Sequence, residues 1–124
     1  MWNILDCCKN KICQNNSIKE ELDNFKKREI KNKYKKYFDD WYKEMIKRNK
    51  IAWIQLDTSI KPKIKDPADV KFYQTANNTK SKIFVTQESY LLSIKEKVYE
   101  EFGIRTITVE EANEVVKKYE MDIQ

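Results

Sequence analysis

The sequence predicts a small α/β fold: a parallel four-stranded sheet flanked by helices in three layers, forming one domain over residues 1–124. Three observations lead there. Short apolar runs alternate with helical stretches in the order strand, helices, strand, helix, strand, helix, strand, helix. That order is the signature of βαβ units with right-handed crossovers. None of the runs alternates cleanly between apolar and polar residues, which suits strands covered on both faces. One Gly and two Pro are too few to punctuate a turn-dense β-sandwich.

The strands are expected at residues 2–5, 52–56, 82–86 and 104–107, each short, rich in β-branched or aromatic residues and bounded by polar residues or by Gly103. Ser17 with Glu20 forms a capping box that opens a helix with Ile18, Leu22 and Phe25 on one face. From Ile30 the apolar stripe changes phase and continues as Tyr34, Phe38, Trp41 and Met45, predicting two helices or one bent helix through about Asn49. Asp66–Pro67 is an N-cap followed by Pro at the first helical position, so a helix over 67–77 starts cleanly with Asp69 third. Thr86 caps a helix running to about Phe102, which Gly103 ends in a left-handed conformation. Thr108 with Glu111 is a second capping box, opening the last helix.

Composition narrows the chemistry. Histidine is absent, which excludes His-based acid–base catalysis, His-ligated zinc and Ser–His or Cys–His pairs. Cys7, Cys8 and Cys13 are odd in number and crowded at one end, so they are expected as small thiols in a reducing cytoplasm rather than as a disulfide framework or a metal site. No apolar run approaches the length of a membrane span, and the start has no basic segment of a signal peptide, so a cytoplasmic protein without membrane association is expected. The net charge of +5 is uneven: residues 26–50 hold 11 basic and 4 acidic residues. Tyr34, Tyr37, Trp41 and Tyr42 interleave with that run. Such a run is most often a solvated helix face, and it is also the footprint a phosphate backbone needs.

In an open parallel sheet, ligands bind beyond the carboxyl ends of the strands. Asp6 ends the first expected strand, Glu88 follows the third, Asp69 lies in the first turn of helix 67–77, and Glu21 in the first turn after Ser17. Singly, each acid has an ordinary role at a strand end or helix cap. Together they would repel one another unless a cation neutralised them. All-oxygen ligation suits Mg²⁺ or Mn²⁺, and metal-assisted attack of water on a phosphodiester needs no histidine. Glu20 has its capping role with Ser17, which leaves Glu21 as the preferred second acid.

The stretch Asp66-Pro-Ala-Asp-Val-Lys-Phe-Tyr-Gln-Thr-Ala76, followed by Lys82-Ile-Phe-Val-Thr-Gln-Glu-Ser-Tyr-Leu91, resembles the second half of a PIN domain. Gly103-Ile-Arg-Thr-Ile-Thr-Val-Glu-Glu-Ala112 is similar to that family's closing strand and helix. Ile4-Leu5-Asp6 resembles its opening strand, and Ser17-Ile-Lys-Glu-Glu-Leu22 the helix start that carries the catalytic Glu. The resemblance implies a metal-dependent endoribonuclease, of the kind found as the toxin of a toxin–antitoxin pair. It implies that Asp6, Glu21, Asp69 and Glu88 are catalytic, with Asp6, Asp69 and Glu88 as Mg²⁺ or Mn²⁺ ligands. Thr86 would support them through its hydroxyl, RNA would be the substrate held by basic residues of 26–50, and an antitoxin a partner.

The chain departs from the family at identifiable places. Cys7 and Cys8 follow Asp6 where small polar residues are usual, and Glu88 stands where Asp is preferred, beside Gln87 where Gly is common. About ten residues between Asp6 and Ser17 leave no room for the family's first helix and second strand segment. The alternative function is therefore a catalytically inactive PIN-like module that binds nucleic acid or another protein. A homodimer is a further expectation, with Trp53, Tyr90, Leu91 and Leu92 as apolar residues that could line it or belong to the core.

Overall fold

The computed structural model describes residues 12–123, with side chains through residue 118. Asp6, Cys7, Cys8 and the strand expected at 2–5 lie outside the described residues. The chain is mixed α/β. It runs β1 (Ile12–Gln14), α1 (Asn16–Glu29), α2 (Asn32–Lys47), β2 (Ile51–Trp53), a 3₁₀ turn (Pro67–Asp69), α3 (Val70–Asn77), β3 (Ile83–Val85), α4 (Ser89–Ser93), α5 (Lys95–Phe102), β4 (Arg105–Ile107) and α6 (Val109–Ile123).

Where a single four-stranded sheet was expected, the described strands make two separate parallel ladders. β1 pairs with β2 in the register Ile12↔Ile51, Cys13↔Ala52, Gln14↔Trp53. β3 pairs with β4 in the register Ile83↔Arg105, Phe84↔Thr106, Val85↔Ile107. Each ladder closes a β-α-α-β unit, because parallel neighbours need a crossover and here two helices supply it. The 3₁₀ turn and α3 join one unit to the other.

Several boundaries follow from side-chain chemistry. The Asp66 carboxylate accepts from Ala68 N at 3.0 Å, with Pro67 next, as the sequence required. The turn after it is 3₁₀ for three residues before α3 begins. Thr108 and Glu111 make the reciprocal capping box: Glu111 N donates to Thr108 Oγ1 at 3.1 Å, and Thr108 N to Glu111 Oε1 at 3.2 Å. Gly103 ends α5 at φ 73°. The helical stretch 16–47 breaks at extended Ile30, where the apolar stripe changes phase.

Three expectations are corrected. A three-residue strand that was not expected, β1, stands immediately before α1. The cap of α1 is Asn15, not Ser17: its side-chain oxygen accepts from Ile18 N at 3.0 Å, and Asn caps at least as well as Ser. The expected single helix from Thr86 to Phe102 is two. Ser93 Oγ donates to Tyr90 O at 2.6 Å, taking the carbonyl that the Ile94 amide would use in a continuous helix. Ile94 accordingly sits at φ −102°, ψ 10°, between α4 and α5.

The core lies mainly in the second unit. Tyr73, Ala76, Leu91, Val98 and Ile104 form its buried centre, with Phe84, Ile94 and Phe102 packed against it. Phe84 stacks on Phe72 at 5.7 Å and meets Tyr73 edge-on at 5.1 Å, both favourable ring geometries. Leu91 belongs to this core and does not line a dimer surface, whereas Tyr90 and Trp53 are exposed. By contrast α1 buries none of its residues fully and α2 buries only Met45. The helical pair therefore presents most of its surface to solvent. Among the described residues no helix is long and apolar enough to cross a membrane.

Candidate functional site

Acids of three distant segments bear on Asp69. Glu21 stands on the second turn of α1, Asp66 and Asp69 at the two ends of the 3₁₀ turn, and Glu88 in the connection after β3. Asp69 is half-buried, while Asp66 and Glu88 are exposed. The Asp69 carboxyl is held above the usual carboxylate range, first by burial and then by the negative fields of Glu88, Asp66 and Glu21, with Lys71 opposing them. Acids of all three segments thus bear on Asp69 through their charge.

The surroundings position these acids. Lys71, two residues past Asp69, places its Nζ on Glu21 Oε2 and ties α3 to α1. Thr86 Oγ1 accepts from Glu88 N at 3.2 Å, fixing the backbone that carries Glu88. Thr86 N in turn donates to Ile107 O at 3.0 Å, extending the β3–β4 ladder to the edge of the site. Glu20, no longer needed as a cap partner, is exposed. Of the two neighbours, it is Glu21 whose charge bears on Asp69.

Beneath the rim lies Tyr73, four residues beyond Asp69 and fully buried. Its hydroxyl has no hydrogen-bond partner among the described residues. Burial, then the charges of Asp69 and the neighbouring Tyr90 and Glu88, push its pKa up to about 12. Tyr73 is a neutral phenol at any physiological pH.

Beside the acids runs a groove of about 700 Å³, lined by Glu20, Glu21, Lys27, Arg28, Asp66 and Lys71 among others. It joins the acidic rim to the basic end of α1. Among the described residues no three acidic or thiol side chains stand close enough together to hold a metal ion. Asp6, the remaining acid of the expected set, lies outside the described residues. Cys13 is half-buried in β1, and burial pushes its thiol pKa up, so it is a poor nucleophile.

Two residues that sequence reasoning passed over hold the frame. Gln87 reaches across to α6: its Oε1 accepts from Val109 N at 3.2 Å and its Nε2 donates to Glu110 at 3.3 Å. Its place directly after Thr86 was the available signal. Asn15 links α1 to α3, and the polar run Gln14-Asn15-Asn16 before an apolar stripe was its signal. Compared with known proteins, the chain matches no family model, no curated protein and no solved structure.

Proposed function

We propose that this chain is a divalent-metal-dependent endoribonuclease of the PIN type, acting on RNA through Glu21, Asp69 and Glu88, with Asp6 as the further acid that the resemblance assigns. The observation that carries the reading is the crowding of Glu21 and Asp66 along one groove with Lys27 and Arg28, beside Asp69, whose ionisation burial and the neighbouring acids oppose. A bound cation relieves such crowding, and donors that are only carboxylate oxygens suit Mg²⁺ or Mn²⁺. Asp6, Asp69 and Glu88 would hold the ion, which when bound supplies Lewis acidity toward water and phosphate. Glu21, steadied by Lys71, keeps negative charge beside the reacting water. Thr86 holds the Glu88 backbone. Lys27 and Arg28 in the adjoining groove bind phosphates without regard to sequence. The two parallel ladders belong, in this reading, to one sheet of the PIN type, and a toxin role with an antitoxin partner is the setting that the resemblance implies.

A second reading, a catalytically inactive module of the same fold, draws on one specific contact. The Lys71 ammonium already lies on Glu21, supplying a positive charge where the nuclease needs its acids available. The deciding experiment incubates unstructured RNA with Mg²⁺ or Mn²⁺ and either the wild-type protein or Asp69→Asn. Cleavage by the wild type that stops with chelator and falls to background in the variant supports the nuclease. Equal cleavage by both proteins defeats it.

A further inference from the structure

The acidic rim leaves one prominent feature unexplained. On α2, Tyr34 and Tyr37 lie one turn apart, their rings 6.4 Å from centroid to centroid and tilted by 37°. They are 49% and 70% exposed. Tyrosine rings have no need to stand in water, and nothing in the core depends on these two. Lys31, Lys33 and Lys36 neighbour them in the sequence and are exposed as well. Lys33 Nζ lies 4.9 Å from the centre of the Tyr34 ring, which keeps a positive charge at the aromatic face. Two lysines of α1 are held by acids: Lys26 bonds Asp39 at 2.6 Å, and Lys19 pairs with Asp23 at 3.3 Å. Of the acids of α2, Asp39 is engaged by Lys26 and Glu44 by Arg48, while Asp40, one turn from Tyr37, is exposed and leaves the lysines in excess around the ring pair.

We infer that Tyr34 and Tyr37 form a stacking platform for the unpaired bases of single-stranded RNA, with Lys31, Lys33 and Lys36 taking the flanking phosphates. The occupant is chosen by charge and shape together. An apolar protein partner would not be met by three exposed ammonium groups, and a duplex offers no free base faces to exposed rings. A single strand presents both an anionic backbone and π faces, and rings interleaved with cations bind such strands with little sequence preference. The platform deepens the proposed reading by naming the form of RNA the protein takes, and it rests on the RNA-binding part of that reading alone. Lys27 and Arg28, at the end of α1 and in the groove beside the acids, continue the basic surface from the rim toward α2.

The test measures binding rather than cleavage. Fluorescence anisotropy follows a short labelled oligouridylate, the same strand with abasic sites, and a duplex of equal charge, all in chelator. Wild-type protein is expected to bind the intact single strand about tenfold more tightly than the abasic strand. The double variant Tyr34→Ala/Tyr37→Ala should lose that preference, and Tyr34→Phe/Tyr37→Phe should keep it. Lys33→Gln/Lys36→Gln should weaken the intact and abasic strands alike. Both tyrosines are exposed, so circular dichroism of the variants should match the wild type. Equal binding of intact and abasic strands overturns the platform, as does an alanine double variant that behaves like wild type. A dimer that dissociates when the tyrosines are removed, seen by sedimentation, also overturns it by assigning the surface to a second copy of the chain. Expected binding with no metal-dependent cleavage would sink the nuclease reading and leave the platform standing.

Discussion

Asn15 Nδ2 donates to Thr75 Oγ1 at 2.8 Å, across 60 residues of chain, and both side chains are buried. The same amide also donates to Ile54 O at 3.2 Å, while its oxygen caps α1 through Ile18 N. Thr75 Oγ1 in turn donates to Lys71 O at 2.7 Å. One carboxamide therefore joins the start of α1, the end of β2 and the middle of α3. Glu21 rides on the first of these helices and Lys71 on the last, so this junction sets the spacing at the acidic rim.

Removing the amide should be costly. Asn15→Ala loses the cap, worth about 0.5–2 kcal/mol, and leaves a buried hydroxyl and a carbonyl short of a partner, at about 1–3 kcal/mol. A total near 2–4 kcal/mol corresponds to a fall in Tm of roughly 8–15 °C for a chain of this size. Thermal denaturation followed by circular dichroism checks this. A melting point within a degree or two of wild type would show that the junction carries no stability.

The pH dependence of Asp69 has a definite sign. Its carboxyl binds a proton more tightly folded than unfolded, because of burial and then Glu88, Asp66 and Glu21. The folded chain therefore holds more protons than the unfolded one between the ordinary carboxylate value and the raised one. Stability from this group is greatest below that window and declines as pH rises through it. Asp69→Asn should thus be more stable than wild type at neutral pH, by a margin that solvent screening keeps small. The advantage should vanish near pH 3. Urea titrations at both values provide the comparison, and a variant that is destabilised equally at each would contradict it.

Much of this frame could be read ahead of the coordinates, because its devices are local. The Asp66–Pro67 start, the Thr108–Glu111 box, the Gly103 stop and the break at Ile30 each depend on residues within a few positions of one another. The missed features depend on distant partners. β1 is only Ile-Cys-Gln, with Gln14 buried because Tyr42 donates to its side chain at 2.7 Å. No periodicity marks a three-residue strand whose last side chain is polar. The choice of Asn15 over Ser17 is likewise made by Thr75 and Ile54, far along the chain. At the site, the sequence picked Asp69, Glu88 and Glu21 from different segments; the other two oppose ionisation of Asp69, while no three acids among the described residues stand close enough to share an ion. It had no means of seeing Lys71 reach Glu21, a side-chain choice made only once α1 and α3 are packed.

If the acids hold a divalent ion, that ion should stabilise the folded chain by mass action. At a concentration one hundred times its dissociation constant, Mn²⁺ would add about 2.7 kcal/mol, a rise in Tm of roughly 10 °C. Asp69→Asn should lose most of that rise and Lys71→Gln should keep or increase it, since Lys71 offsets the negative field the ion would use. Differential scanning fluorimetry across a Mn²⁺ series reads all three proteins. A flat melting temperature up to millimolar metal would favour the inactive module.

Gly103 and Lys82 together end α5, and they separate backbone strain from packing. Gly103 has φ 73° and its amide donates to Tyr99 O at 2.8 Å, while Lys82 Nζ donates to Phe102 O at 2.9 Å. A Cβ added at Gly103 would find Lys82 Nζ at 3.6 Å, an ordinary contact with the mobile end of a side chain. Space is therefore available, and the cost of Gly103→Ala is that of the left-handed conformation, about 1–2 kcal/mol. Gly103→Asn should cost less, because Asn tolerates that region better than Ala. Lys82→Met should add its own loss by freeing the Phe102 carbonyl, and the two changes should not simply sum, since they act on the same helix end. Equilibrium unfolding of the three single variants and the Gly103→Ala/Lys82→Met pair tests this ordering. An alanine variant as stable as wild type would mean that the last turn of α5 rearranges rather than holding Gly103 where it stands.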